Sequence, residues 1–222
     1  MADKTYIMIV RHAEAYKNLN EIIGGIGTGL SYKGYKQIND FYEKNKAFFL
    51  NKNINIYSTR KQQLFATAYE LNKNIKGKMH IYDYIHPLNM GVFNGVTESY
   101  AKTMYPESYK LLTKWRDKSI DISMLKIPEM GSYNDFWEEG KLFVKYINNN
   151  SVNIVICSTS VFILLANIML GRNIYKKNEY KCINVNTMDY MTFIKNNNNY
   201  YLVKALSSKS VILDIEKVPK YV

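Results

Sequence analysis

The pair Arg11-His12 stands directly after a β-branched apolar run, Tyr6 to Val10. In a parallel sheet the residues that follow a strand face the crevice where ligands bind, so this is where chemistry is expected. An imidazole there is either a packed structural residue or a reactive one. Its neighbours favour an anion: Arg11 offers a guanidinium fork for phosphate, and Asn18 offers a neutral donor. The loop carrying Gly24, Gly25, Gly27 and Gly29 offers backbone N–H groups that can approach phosphate closely. The other candidates read as structural. Cys157 ends a buried-strand pattern, His80 belongs to a strand-like stretch, and Trp115 and Trp137 fall on helical stretches as packing anchors.

To hold Arg11-His12 at a sheet edge the chain needs strands alternating with helices. Ser31 can cap a helix whose apolar positions Tyr35, Ile38, Phe41, Tyr42 and Phe49 follow an approximate 3.6-residue period. Ile54 to Tyr57 reads as a second strand and Gln62 to Leu71 as its helix; Lys78 to Tyr82 and Val152 to Ile156 read as further strands. Helical stretches are expected near 97–116 and 133–148. Three β-prone stretches close the chain, Tyr180 to Asn186, Met188 to Lys195 and Tyr200 to Ala205, with Asn196 to Asn199 as a hairpin turn. The expectation is one α/β domain over residues 1–222, with its core at about 5–206, a mostly parallel central sheet flanked by helices, and a mobile tail at 207–222.

Composition agrees with a globular chain. The 222 residues are 47% hydrophobic and 14% aromatic, enough for a real core, which excludes overall disorder. The net charge of +11 comes from 26 Lys but only 4 Arg, scattered in runs of two at most, as at Arg60-Lys61 and Lys176-Lys177. That pattern makes nucleic acid the weakest partner class and leaves a bias toward anionic ligands. Two cysteines cannot build a disulfide framework, and the polar stretch before Tyr6 is no secretory signal, so a reducing, cytoplasmic setting is expected. The uncharged run Ile154 to Leu170 changes from β-branched to Leu-rich around the polar Cys157-Ser158-Thr159-Ser160, which indicates a strand turning into a helix rather than a membrane span.

Arg11-His12-Ala13-Glu14 with Asn18, then Ile23-Gly24-Gly25, then Thr28-Gly29-Leu30-Ser31-Tyr32-Lys33-Gly34 and Gln37, resembles the opening of the histidine phosphatase superfamily, and within it most closely the fructose-2,6-bisphosphatase domain. The resemblance continues through Tyr57-Ser58-Thr59 with Thr67-Ala68, Gly91-Val92, Tyr105-Pro106-Glu107, Ser132-Tyr133-Asn134-Asp135 and Val155-Ile156-Cys157, over about residues 5 to 195. It implies a phosphoglycerate mutase-like three-layer sandwich, no metal or cofactor, and a phosphorylated small molecule or phosphate as ligand. It also implies that His12 attacks phosphorus, that two arginines and a second histidine hold the phosphoryl oxygens, and that a carboxylic acid protonates the leaving oxygen.

Arg11 and His12 match, and Asn18, Thr28 and Gly29 match phosphate and substrate contacts. The second arginine is replaced by Gln63, the acid by Pro87 and the second histidine by Ser158; Ala13 and Gly131 also depart from the pattern. Ser158 and Thr159 remain as neutral donors. Arg60, three positions before Gln63, either reaches the same phosphate or is a solvated helix-start residue; Lys61 is the poorer candidate. His86, beside Pro87, is a candidate to replace the acid but reads rather as a packed loop residue. Two functions follow: a pseudoenzyme or very slow phosphohydrolase that still binds a phosphorylated ligand or a protein partner, or an active phosphatase or mutase working through phospho-His12 with an altered clamp.

Overall fold

Side chains alternate along β1 (Thr5–Arg11), so Ile7 and Ile9 enter one apolar layer while Met8 and Val10 enter another. The computed structural model describes residues 4–83, 85–147, 151–196 and 199–206. With β2 (Ile54–Ser58), β3 (Lys78–Ile81), β4 (Val152–Cys157), β5 (Tyr190–Asn196) and β6 (Asn199–Leu206), β1 forms one sheet in the order β3-β2-β4-β1-β5-β6. The contacts from β3 through β1 are parallel, and those of β1 with β5 and β5 with β6 are antiparallel. β4 is buried along its whole length, as its mostly apolar sequence, Asn153 apart, suits a central strand covered on both faces.

Two helices, α2 (Tyr32–Phe49) and α3 (Gln62–Ile75), cover one face, placing Ile38, Phe41, Leu64 and Leu71 against Met8, Val10, Ile56 and Ile154. On the other face lie α4 (Glu98–Met104), α5 (Pro106–Arg116), α6 (Tyr133–Tyr146) and α7 (Thr159–Met169), with Trp115, Trp137, Phe143 and Phe162 in a layer with Ile7, Ile9 and Phe193. The expected α/β sandwich is thus present. α7 follows β4 directly, begun by Ser158, whose Oγ accepts from Val161 N–H. Among the described residues no helix is long and apolar enough to cross a membrane.

Two expectations are corrected. The helical stretch 97–116 is two helices, divided at Tyr105-Pro106, because proline lacks the N–H that a continuing helix needs and suits a first helical position. Tyr180 to Asn186 is irregular rather than a strand. Side chains take up part of its backbone: Asn167 Nδ2 donates to Lys181 O at 2.9 Å, Lys181 N donates to Asn167 Oδ1 at 3.0 Å, and Arg11 Nη1 donates to Val185 O at 2.6 Å. Asn196 and Asn199 pair antiparallel as a hairpin requires; the two residues between them, and the tail 207–222, lie outside the described residues.

Candidate active site

Arg11 and Cys157 are register partners at the carboxyl ends of β1 and β4, and His12 N–H donates to Cys157 O at 2.9 Å. His12 and Ser158 therefore emerge side by side. A cleft of about 1550 Å³ opens over them, lined near His12 by Arg11, Lys17, Asn18, Gly24, Lys61, Gln63, Pro87, Ser158 and Thr159.

His12 is buried, and its Nδ1 lies 2.8 Å from Ala13 O. A carbonyl can only accept, so Nδ1 carries the proton and Nε2 keeps its lone pair. Burial above all holds the imidazole pKa down to about 3; the bond to Ala13 opposes this, while Arg11, Lys17 and Lys61 reinforce it. At neutral pH the ring is uncharged and stands in a cationic setting.

The segment carrying His12 is fixed to both helices beneath it. Ala13 N–H donates to Thr67 Oγ1 at 3.1 Å, and that hydroxyl donates to Gln63 O at 2.6 Å on α3. Glu14 N–H donates to Gln37 Oε1 at 2.9 Å, and the Glu14 carboxylate takes Lys33 Nζ at 2.9 Å and Ser31 Oγ at 2.7 Å, all on α2 or its cap. Those bonds, Lys33 first, hold its pKa below the usual carboxylate range. Gly34 lies so near that a Cβ there would sit 2.2 Å from Glu14 O. Asn18, on the short helix α1 (Tyr16–Leu19), accepts from Ala15 N–H at 2.9 Å through Oδ1, which leaves its amide N–H groups free to donate.

The pattern of the histidine phosphatase superfamily (branch 1) matches residues 7–190. The chain belongs to that superfamily. No curated protein sequence matches it, but solved structures of the superfamily fold align over nearly its whole length. A phosphoglycerate mutase from Bacillus anthracis str. Sterne is 15% identical, covering 92% of this chain and 93% of its own, with a TM-score of 0.73. A putative α-ribazole-5'-P phosphatase from Escherichia coli K-12 is 13% identical, with coverages of 92% and 97% and a TM-score of 0.71. A phosphoserine phosphatase mutant from Entamoeba histolytica, in complex with phosphoserine, is 18% identical, with coverages of 94% and 100% and a TM-score of 0.69.

Within this histidine phosphatase fold Arg11, His12, Asn18, Ser158 and Thr159 line one cleft together with Gln63 and Pro87. Thr28 and Gly29 do not line the cleft. They stand behind it, where Thr28 Oγ1 accepts from Lys17 N–H at 3.0 Å, Thr28 N–H donates to Gln63 Oε1 at 3.2 Å, and Gly29 O accepts from Tyr16 N–H at 3.1 Å. Of the two readings of Arg60 the phosphate contact is corrected and the solvated one stands: its side chain is 79% exposed and its Nε meets Asp83 Oδ2 at 2.9 Å, outside the cleft. His86 is exposed, whereas His80 stacks on Tyr57 with centroids 4.8 Å apart and its Nε2 lies 2.9 Å from Asn55 Oδ1. Cys157 is buried, which pushes its thiol pKa up and makes it core. Sequence reasoning missed Lys17 and undervalued Lys61, both in the cleft wall. The one available signal was the place of Lys17 between His12 and Asn18.

Proposed function

We propose that this histidine phosphatase chain binds a phosphorylated small molecule with the phosphoryl group against His12 and turns it over very slowly, so that ligand binding is its main activity. One observation carries this reading: Gln63, Pro87 and Ser158 line the same cleft as His12, and none of the three side chains can carry charge.

Transfer begins when the Nε2 lone pair attacks phosphorus. The P–O ester bond breaks, its electron pair leaves with the ester oxygen, and that oxygen must gain a proton; water then attacks the phosphohistidine and releases phosphate. Arg11 and Asn18 supply donors to the phosphoryl oxygens, and Ser158 and Thr159 supply neutral ones. With Pro87 at the acid position the leaving oxygen draws its proton from water. One missing oxyanion donor costs about 10² to 10³ in rate and missing acid assistance about 10² to 10⁴, although such losses do not multiply cleanly. The resemblance to the bisphosphatase domain makes a sugar bisphosphate the first ligand class to try, in a cytoplasmic setting.

Back-substitution tests the reading. Ser158→His, alone and with Gln63→Arg, is expected to raise phosphate release by roughly 10- to 10³-fold, the size of a restored oxyanion donor. Release by the unchanged chain that already equals that of the substituted chains would overturn it.

A further inference from the structure

We propose that Lys17 and Lys61 form a two-ammonium clamp that grips the phosphoryl group of the ligand, supplying the cationic hold that Gln63 and Ser158 cannot. This deepens the functional reading above and rests on it for the place of the phosphoryl group at His12.

The two lysines reach the cleft from different elements, Lys17 from α1 and Lys61 from the start of α3. One glycine turn draws them together: Lys17 Nζ donates to Gly24 O, and Lys61 Nζ donates to Gly25 O at 3.1 Å. That turn is rigidly placed. Gly25 has a φ of 71°, and a Cβ on it would lie 2.6 Å from Gly95 Cα, so only glycine fits. An ammonium has three N–H donors, and each lysine commits one to the turn, which leaves two apiece for a ligand.

The charge of this cluster is unbalanced. Among the described residues no carboxylate oxygen lies within 4.0 Å of either Nζ. Of the glutamates along the cleft, Glu98 holds Arg116 at 2.9 Å, Glu179 holds Lys176 at 3.5 Å, and Glu21 is exposed. Burial first, then Lys61 and Arg11, bring the pKa of Lys17 down to about 8, and burial lowers that of Lys61. Crowded, partly desolvated like charges are costly until an anion arrives to share them. A phosphoryl dianion matches in charge and in acceptor oxygens. The clamp replaces cationic hold on the phosphoryl oxygens, while Pro87 leaves the acid position without a carboxyl group.

The test is a titration with inorganic phosphate by calorimetry at low salt, using the unchanged chain, Lys17→Met, Lys61→Met, the double variant, Lys61→Arg, and Lys44→Met as a control for net charge at an exposed position on α2. Each single loss is expected to weaken binding by about 10-fold and the double loss by about 100-fold, as for charge-assisted hydrogen bonds, with Lys61→Arg and Lys44→Met within about 3-fold of the unchanged chain. Phosphate affinity in the double variant equal to that of the unchanged chain, with or without a fall in Tm, would reduce the lysines to tethers of the glycine turn and overturn the clamp. So would an unchanged chain that takes up no phosphate, or an equal loss in Lys44→Met. Fast hydrolysis combined with lysine-dependent phosphate binding would defeat the slow-turnover reading and leave the clamp standing.

Discussion

His12 titrates far from its ordinary value because it is buried, and this has a measurable consequence. Unfolded, the imidazole takes a proton near pH 6.5; folded, it stays neutral down to about 3. Between those values the unfolded chain binds more protons, so the stability that His12 contributes is complete above pH 6.5 and is lost as pH falls toward 3. Urea unfolding at pH 7 and pH 4.5 is expected to show His12→Gln losing about 2 kcal/mol less than the unchanged chain across that interval. Equal losses in the two chains would mean that the ring is not held neutral. At this scale His12, Arg11, Asn18 and the positions Gln63, Pro87 and Ser158 were legible, because a motif fixes which strand end each follows. Lys17 was not, since one lysine among 26 carries no mark of its own. The choice between Arg60 and Lys61 was equally hidden. Adjacent residues at a helix start point apart, and only the fold shows that Arg60 turns to Asp83 while Lys61 turns to Gly25.

The element that matters most is the turn after β1, because α2 and α3 set its position. Gly34 is where α2 touches it most closely, so Gly34→Ala must push the helix start and Glu14 apart. We expect a cost of roughly 1 to 3 kcal/mol in stability, of the size seen for overpacking, together with weaker phosphate binding through displaced Asn18 and Lys17. A variant with unchanged Tm and unchanged affinity would show that the turn is not held by that contact. The strands β1, β2 and β4 were readable from β-branched runs, and α2 from its Ser31 cap and apolar period. The failure at Tyr180 to Asn186 has a local cause. Its composition suits a strand, but Asn167 and Arg11, from remote elements, bond its backbone at Lys181 and Val185, where a sheet partner would, and it runs as a loop along the cleft.

For the whole molecule, the alternation of strands and helices dictated a sheet covered on both faces, with the strand ends of β1 and β4 opening on the cleft. The ordered succession of motifs over the chain marked the superfamily, since their order survives where single residues drift. What it could not carry was the redistribution of charge inside the cleft: lysines scattered in sequence gather in space, and a net charge of +11 gave no hint of which ones. The proposed site is a phosphate cradle with its nucleophile in place, a grip rebuilt from ammonium groups, and no restored acid. Its most direct test is steady-state phosphate release from a panel of phosphomonoesters that includes sugar bisphosphates, measured for the unchanged chain and for His12→Ala. The prediction is release slower than about 10⁻² s⁻¹, against a typical enzyme rate of about 10 s⁻¹. Release at about 1 s⁻¹ or faster that disappears in His12→Ala would contradict it.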